Sequence, residues 1–207
     1  MLDHLLLGCS DLDQGISFVE KHTGVRPAMG GVHPGRGTRN ALLSLGRQRY
    51  FEVIAPDPKQ QEVTWGGVLS ALKQLSAPQL VGWIVHTSNI EEIVERLRQN
   101  EVAFHGPIAG SRTRPDGRLL HWQTLHLDSD RSGLLPFFIE WGADSVHPSV
   151  DAPAGCRLES FAAVSPDGGT LSAEFQKLGI DVPVEQGNTA HLRGRIVGPD
   201  GELRLGM

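Results

Sequence analysis

Short apolar runs bounded by polar, proline or glycine residues recur along the chain in the order strand, helix, strand, strand, strand. Leu2 to Leu7 is almost continuously apolar and predicts a first strand, which ends at the helix-capping pair Ser10-Asp11. Leu12, Ile16 and Val19 then fall on one helical face, and Gly24 stops the helix. Val25 to Met29 predicts a second strand, and Asn40 to Leu45 with Tyr50 to Ile54 predicts a closing hairpin that turns at Gly46. Pro56 and Pro58 end this βαβββ unit.

Trp65, Val68, Leu69, Leu72 and Leu75 recur at helical spacing, so residues 65–76 predict an amphipathic connector that packs on a sheet. The pattern then restarts. Val81 to His86 reads as a strand, Ile90, Ile93, Val94 and Leu97 mark a helix face, and Leu119 to Leu127 and Leu135 to Trp141 read as later strands. Aligning Ser10-Asp11-Leu12 with Ser88-Asn89-Ile90 puts Gly82 opposite His4, and Phe138-Ile139-Glu140 matches the Phe51-Glu52 strand by type. A shorter third copy follows: a strand over Leu158 to Val164, a helix face at Leu171, Phe175 and Leu178, a strand over Val182 to Glu185, and a hairpin from His191 to Leu205 around Gly198-Pro199-Asp200-Gly201. Matching Ser165 to Ser10 puts Glu159 opposite His4. The expected fold is α+β, with paired βαβββ modules over residues 1–58 and 80–146, a connector helix over 59–79, and a third, partial module over 155–207 that covers or extends an existing sheet.

Charge narrows the partners. With 207 residues, 39% of them hydrophobic, and a formal net charge of -5, the chain can bury a substantial core and lacks the clustered positive charge that nucleic acid or an anionic membrane requires. A small-molecule ligand is the expected partner, with the chain as a monomer or homodimer. Leu6-Leu7-Gly8-Cys9 has the form of a lipoprotein cleavage box, but no Lys or Arg precedes it and its apolar run is short for a signal segment, so export is not expected. Two widely spaced cysteines, Cys9 and Cys156, make no disulfide framework, which fits a reducing cytoplasm.

The chemistry concentrates on polar residues in apolar strands. His4 lies among Leu2, Leu5, Leu6 and Leu7, and Glu52 between Phe51 and Val53; a buried imidazole or carboxylate must be paired or coordinated. Both also read as satisfied core residues. The string Gly30 to Asn40 sets His33, Arg36, Thr38, Arg39 and Asn40 among four glycines that permit close backbone approach, suiting it to hold a carboxylate or carbonyl. The same glycines also suit a plain hairpin. Ser111-Arg112-Thr113-Arg114-Pro115-Asp116-Gly117-Arg118 takes the corresponding place in the second module, with Pro-Asp-Gly as the turn and Arg112, Arg114 and Arg118 suited either to contact an anion or to solvate a plain hairpin. Alternation sends His121 and Gln123 to one face of their strand and Trp122 to the other, and His121 is taken as the ligand contact.

Through Asp3-His4, the Gly30 to Asn40 string with Leu42-Leu43-Ser44-Leu45-Gly46, and Phe51-Glu52-Val53-Ile54, the chain resembles the vicinal oxygen chelate superfamily, in its glyoxalase-like branch. The resemblance implies paired modules whose sheets curl round a cavity, with metal ligands on the first and last strand of each module. Carried over, it implies a divalent Zn, Mn or Fe(II) held by His4, Glu52 and Glu140, with Gly82 leaving one ligand place empty and His86 filling it from the same strand face. Such a metal binds a substrate's adjacent oxygens and stabilises the oxyanion, with Glu52 or Glu140 as the base. Two functions follow: a metal-dependent lyase, isomerase or dioxygenase acting on a small oxygenated metabolite, or a metal-free protein that sequesters a small molecule.

Overall fold

The computed structural model describes residues 1–60, 63, 67–114, 116–128 and 133–206. The first unit runs β1 (Leu2–Gly8), α1 (Leu12–Thr23), β2 (Ala28–His33), β3 (Thr38–Gly46) and β4 (Arg49–Pro56). Helix α1 starts where Asp11 accepts a hydrogen bond from the Gln14 N–H at 2.9 Å, and ends at Gly24, whose φ of 77° is the left-handed cap that glycine adopts without strain. Its Leu12, Ile16 and Val19 are buried. Strand β2 begins three residues later than the pattern predicts, after Pro27, which has no N–H to donate to a ladder.

The described part of the connector is α2 (Gly67–Lys73), on which Leu72 is fully buried; Trp65 lies outside the described residues. The second unit follows with β5 (Gln79–His86), α3 (Ile90–Gln99), β6 (Phe104–Thr113), β7 (Leu119–Leu127) and β8 (Phe137–Trp141). Strand β6 goes unread in the sequence because it is largely exposed and carries no apolar alternation. A single sheet joins both units in the order β2-β3-β4-β1-β5-β8-β7-β6. In each unit the first strand lies parallel to the last, β1 to β4 and β5 to β8, and the two first strands meet antiparallel at the centre. The outer edges also approach: a Cβ on Gly31 of β2 would lie 2.9 Å from the Thr113 carbonyl of β6. The sheet thus curls into a near-closed trough.

The C-terminal unit keeps the expected element order but not the expected wiring. Strands β9 (Arg157–Ser165), β10 (Val184–Gln186), β11 (His191–Gly198) and β12 (Gly201–Leu205), with α4 (Gly168–Leu178), form a separate sheet in the order β10-β9-β11-β12. Its first strand lies beside the short parallel β10 instead of beside its last strand, so it is not a third copy of the module. This sheet covers the convex face of the trough, where the ring of Trp83 on β5 meets Phe161 at 5.3 Å and Phe175 at 5.6 Å, and one core runs through all three units. Among the described residues no helix is long and apolar enough to cross a membrane.

Candidate functional site in the concave face

Strand alternation decides what reaches the concave face. On β1, His4 and Leu6 point into it while Leu5 and Leu7 point to the core; on β4, Tyr50, Glu52 and Ile54 do the same. These line a cavity of about 150 Å³ with His33, Thr38 and Asn40 from β2 and β3 and Arg36 from the turn between them. The second unit supplies Arg112 from β6, Trp122, Thr124 and His126 from β7, and Phe137, Ile139 and Trp141 from β8, while Leu69 of α2 covers one side. One wall is polar and the other largely aromatic.

The polar wall is built on a carboxylate that does not itself reach the cavity. Asp3 is 1% exposed; one of its oxygens lies 2.5 Å from His4 Nδ1, and the other accepts from Trp141 Nε1 at 3.1 Å and from His147 Nε2 at 3.2 Å, with His86 Nδ1 at 3.6 Å. Burial opposes ionisation of Asp3, yet the bonds from His147, His4 and His86 outweigh it and hold the carboxyl well below the usual carboxylate range. An ionised Asp3 fixes the proton of His4 on Nδ1 and leaves Nε2 turned to the cavity, 3.3 Å from the Tyr50 hydroxyl and 3.7 Å from Glu52 Oε2. Burial, with Glu52 and Asp3 nearby, raises the Tyr50 phenol well above its ordinary value, so it stays a donor. The tyrosine and His4 rings stack at 4.2 Å.

Glu52 is held from its other side, where Oε1 accepts from Asn40 Nδ2 at 2.9 Å. Asn40 Nδ2 also lies 3.3 Å from His33 Nε2, whose ring is turned by a contact of 2.9 Å between Nδ1 and Thr38 Oγ1. Burial lowers the His33 pKa to about 4; Glu52 opposes the shift, and Arg112 and Arg36 add to it, so this imidazole is neutral. Gly30 makes room for the cluster, because a Cβ there would lie 2.4 Å from Asn40 Oδ1 and 2.8 Å from Arg112 Nη1.

His33, Arg36, Thr38, Asn40, Arg112, His4 and Glu52 are therefore gathered round one cavity. Three expected residues are not. Glu140 lies on the opposite face of β8, between the inward-facing Ile139 and Trp141, and its Oε2 accepts from the Ile90 N–H at 3.0 Å, capping α3. His86 sits at the end of β5, half exposed and directed at Asp3 instead of at Glu52. His121 points outward to Asp144 at 3.0 Å, and the inward positions of its strand are Trp122, Thr124 and His126. Glu159, aligned with His4 by the third repeat, lies exposed on β9 beside Arg157. Gly82, aligned with His4 by the repeat, pairs with Leu6 across the central seam, and the cross-strand neighbour of His4 is Ile84. Pro115 of the second loop lies outside the described residues.

These positions test the metal site that the family resemblance implies. A histidine backed by a carboxylate on Nδ1 is a sound metal-ligand geometry, and Glu52 is a second donor beside it. The donors due from the second unit are missing, because β5 sets Ile84 beside His4 and the cavity positions of β8 are Phe137, Ile139 and Trp141. Among the described residues no three His, Cys, Asp or Glu side chains are grouped to hold an ion. The donor set does not fit the four-ligand site.

Comparison with known proteins places this geometry. A family model described as a glyoxalase-like domain matches residues 2–183. The crystal structure of a hypothetical protein from Staphylococcus aureus superposes with a TM-score of 0.69 at 19% identity, covering 99% of this chain and 84% of that one. A Streptomyces coelicolor methylmalonyl-CoA epimerase in complex with 2-nitronate-propionyl-CoA reaches a TM-score of 0.50 at 18% identity over 70% of this chain and 97% of that one. A second structure, of methylmalonyl-CoA epimerase in complex with methylmalonyl-CoA and NH4+, gives 0.50 at 18%, over 70% and 96%. At such identities the likeness is one of fold. No curated protein sequence matches the chain.

Proposed function

Given that this chain belongs to the glyoxalase-like domain family, we propose that it is a proton-transfer enzyme whose base is the Asp3-supported His4, acting on a small molecule with a carbon acid beside a carbonyl. The observation that carries this reading is the 2.5 Å contact between Asp3 and His4 Nδ1, made out of solvent with Nε2 left facing the cavity. In the proposed step, Nε2 takes the proton from carbon, the electron pair of the broken C–H bond forms the carbon–carbon double bond of an enolate, and the carbonyl π pair moves onto oxygen. The Tyr50 hydroxyl donates to the oxyanion, while ionised Asp3 and the nearby Glu52 stabilise the imidazolium. Return of the proton, to either face, gives exchange or isomerisation.

The aromatic wall supports a second reading, a binder that sequesters a ligand with a planar body, because Trp122, Phe137 and Trp141 supply contact area and no proton-transfer group. Deuterium uptake in D2O, followed by NMR with 2-butanone, acetoacetate and 2-oxobutanoate, separates the two. Wild type should catalyse exchange into at least one of them with EDTA present. His4→Gln should lower that rate by about 100-fold or more, the usual worth of a positioned base. Ligand binding without exchange by wild type would leave the binder.

A further inference from the structure

Among the described residues Arg112 is a buried charge with no bonded counter-ion. Its side chain is 3% exposed on the cavity wall, yet its guanidinium makes no hydrogen bond or ion pair to any described residue, and Nη1 is buried without an acceptor. A guanidinium taken out of water keeps its charge and needs an anion at close range. Glu52 is near enough to favour the charge through space but does not bond to it. The arginine is also deliberately housed: its Cγ and Cδ would lie 3.0 Å from a Cβ at Gly31, and its Nη1 occupies the room left by Gly30.

We infer that Arg112 is the anchor for a carboxylate on the ligand, and that the ligand is a small monocarboxylate with a planar, ring-sized body. Charge sets the anion: Glu52 shares the cavity, so a dianion such as a phosphate ester meets like charge where a monoanionic carboxylate matches the planar guanidinium fork. Shape sets the body: about 150 Å³ is the room of one small ring, a cavity of that size being able to hold benzene. The wall of Trp122, Phe137 and Trp141 offers that ring aromatic contact. Neutral ketones and extended thioesters fall outside this class. The inference rests on the cavity being the ligand site of the proposed enzyme, and it makes the carboxylate the handle that presents the carbon acid to His4.

Calorimetric titration with benzoate, benzamide and phenyl phosphate tests it, beside the deuterium exchange described above. Wild type should bind benzoate at least tenfold more tightly than benzamide or phenyl phosphate, and should exchange 2-oxobutanoate in preference to 2-butanone. Arg112→Met keeps the aliphatic stem against Gly31 and should weaken benzoate at least tenfold while leaving benzamide unchanged. Arg112→Lys, which keeps the charge without the fork, should fall between; it carries the test if the methionine variant does not fold. Equal binding of benzoate and benzamide by wild type, or tighter binding of phenyl phosphate, overturns the inference. So does undiminished benzoate binding in the folded variants. Benzoate binding that depends on Arg112 without any exchange would remove the enzymatic reading and leave the ligand class standing; exchange of 2-butanone indifferent to Arg112 would do the reverse.

Discussion

His33 is neutral because burial disfavours its charged form and two arginines add to that effect against the opposing pull of Glu52, which together set its pKa at about 4. The unfolded chain titrates near the ordinary 6.5, so between these values the unfolded state takes up the proton first. This contribution to stability is complete above about pH 6.5 and is lost as pH falls towards about 4, amounting to roughly 3 kcal/mol at most. His126 is lowered to about 4 as well, chiefly by burial, and acts in the same direction. Urea denaturation from pH 7 to 4 should show this slope, and His33→Asn should flatten it; an unchanged slope would place the acid sensitivity elsewhere. At this scale the sequence was legible where a polar residue interrupted an apolar run, as at His4 and Glu52, and where glycines bracketed a polar string, as at His33 to Asn40. It was not legible where only strand parity distinguishes two faces: His121 and Trp122 are neighbours, and nothing in their order tells which one points inward. Asp3's partners at positions 86, 141 and 147 are too distant in sequence to be paired without the fold.

Elements explain why a residue of the right type can still sit in the wrong place. Glu140 lies on the strand that matches β4, but its carboxylate satisfies a free N–H in the first turn of α3, where the helix dipole also favours negative charge. Asn89 caps the same turn through the Glu92 N–H at 3.3 Å. Glu140→Ala should therefore cost about 1 kcal/mol, as loss of a helix cap does, and leave benzoate affinity and deuterium exchange unaltered. Chemical denaturation and the two ligand assays check this together; a loss of exchange with stability intact would return Glu140 to the site. The helices were read from their apolar faces, and α1 also from its capping pair and terminal glycine. Strand β6 was lost because an exposed edge strand has no buried face to write into the sequence, and β2 was displaced because proline governs where a ladder can begin.

For the whole molecule, the central strands serve two masters on two faces. At β1 and β5 His4 faces the cavity with Ile84 paired beside it, whereas Leu5 and Trp83, one step along, face the C-terminal sheet. The repeat pattern foretold the two wrapped units, since both keep their hydrophobic rhythm, but the third unit's different strand order follows from long-range pairing that the rhythm does not encode. Trp83 is the joint: it is fully buried, packs on Phe161 and Phe175, and donates through Nε1 to the Leu134 carbonyl at 3.0 Å. Trp83→Ala should cost roughly 3–5 kcal/mol through lost burial and the cavity left behind, with an orphaned carbonyl adding to it. Because the tryptophan projects from the face opposite His4, the variant should retain wild-type benzoate affinity at temperatures where it stays folded. Thermal melts give the first quantity and calorimetric titration the second. If affinity fell with stability, the C-terminal sheet would be acting on the cavity through the shared strands, and the two faces would have to be treated as one coupled device.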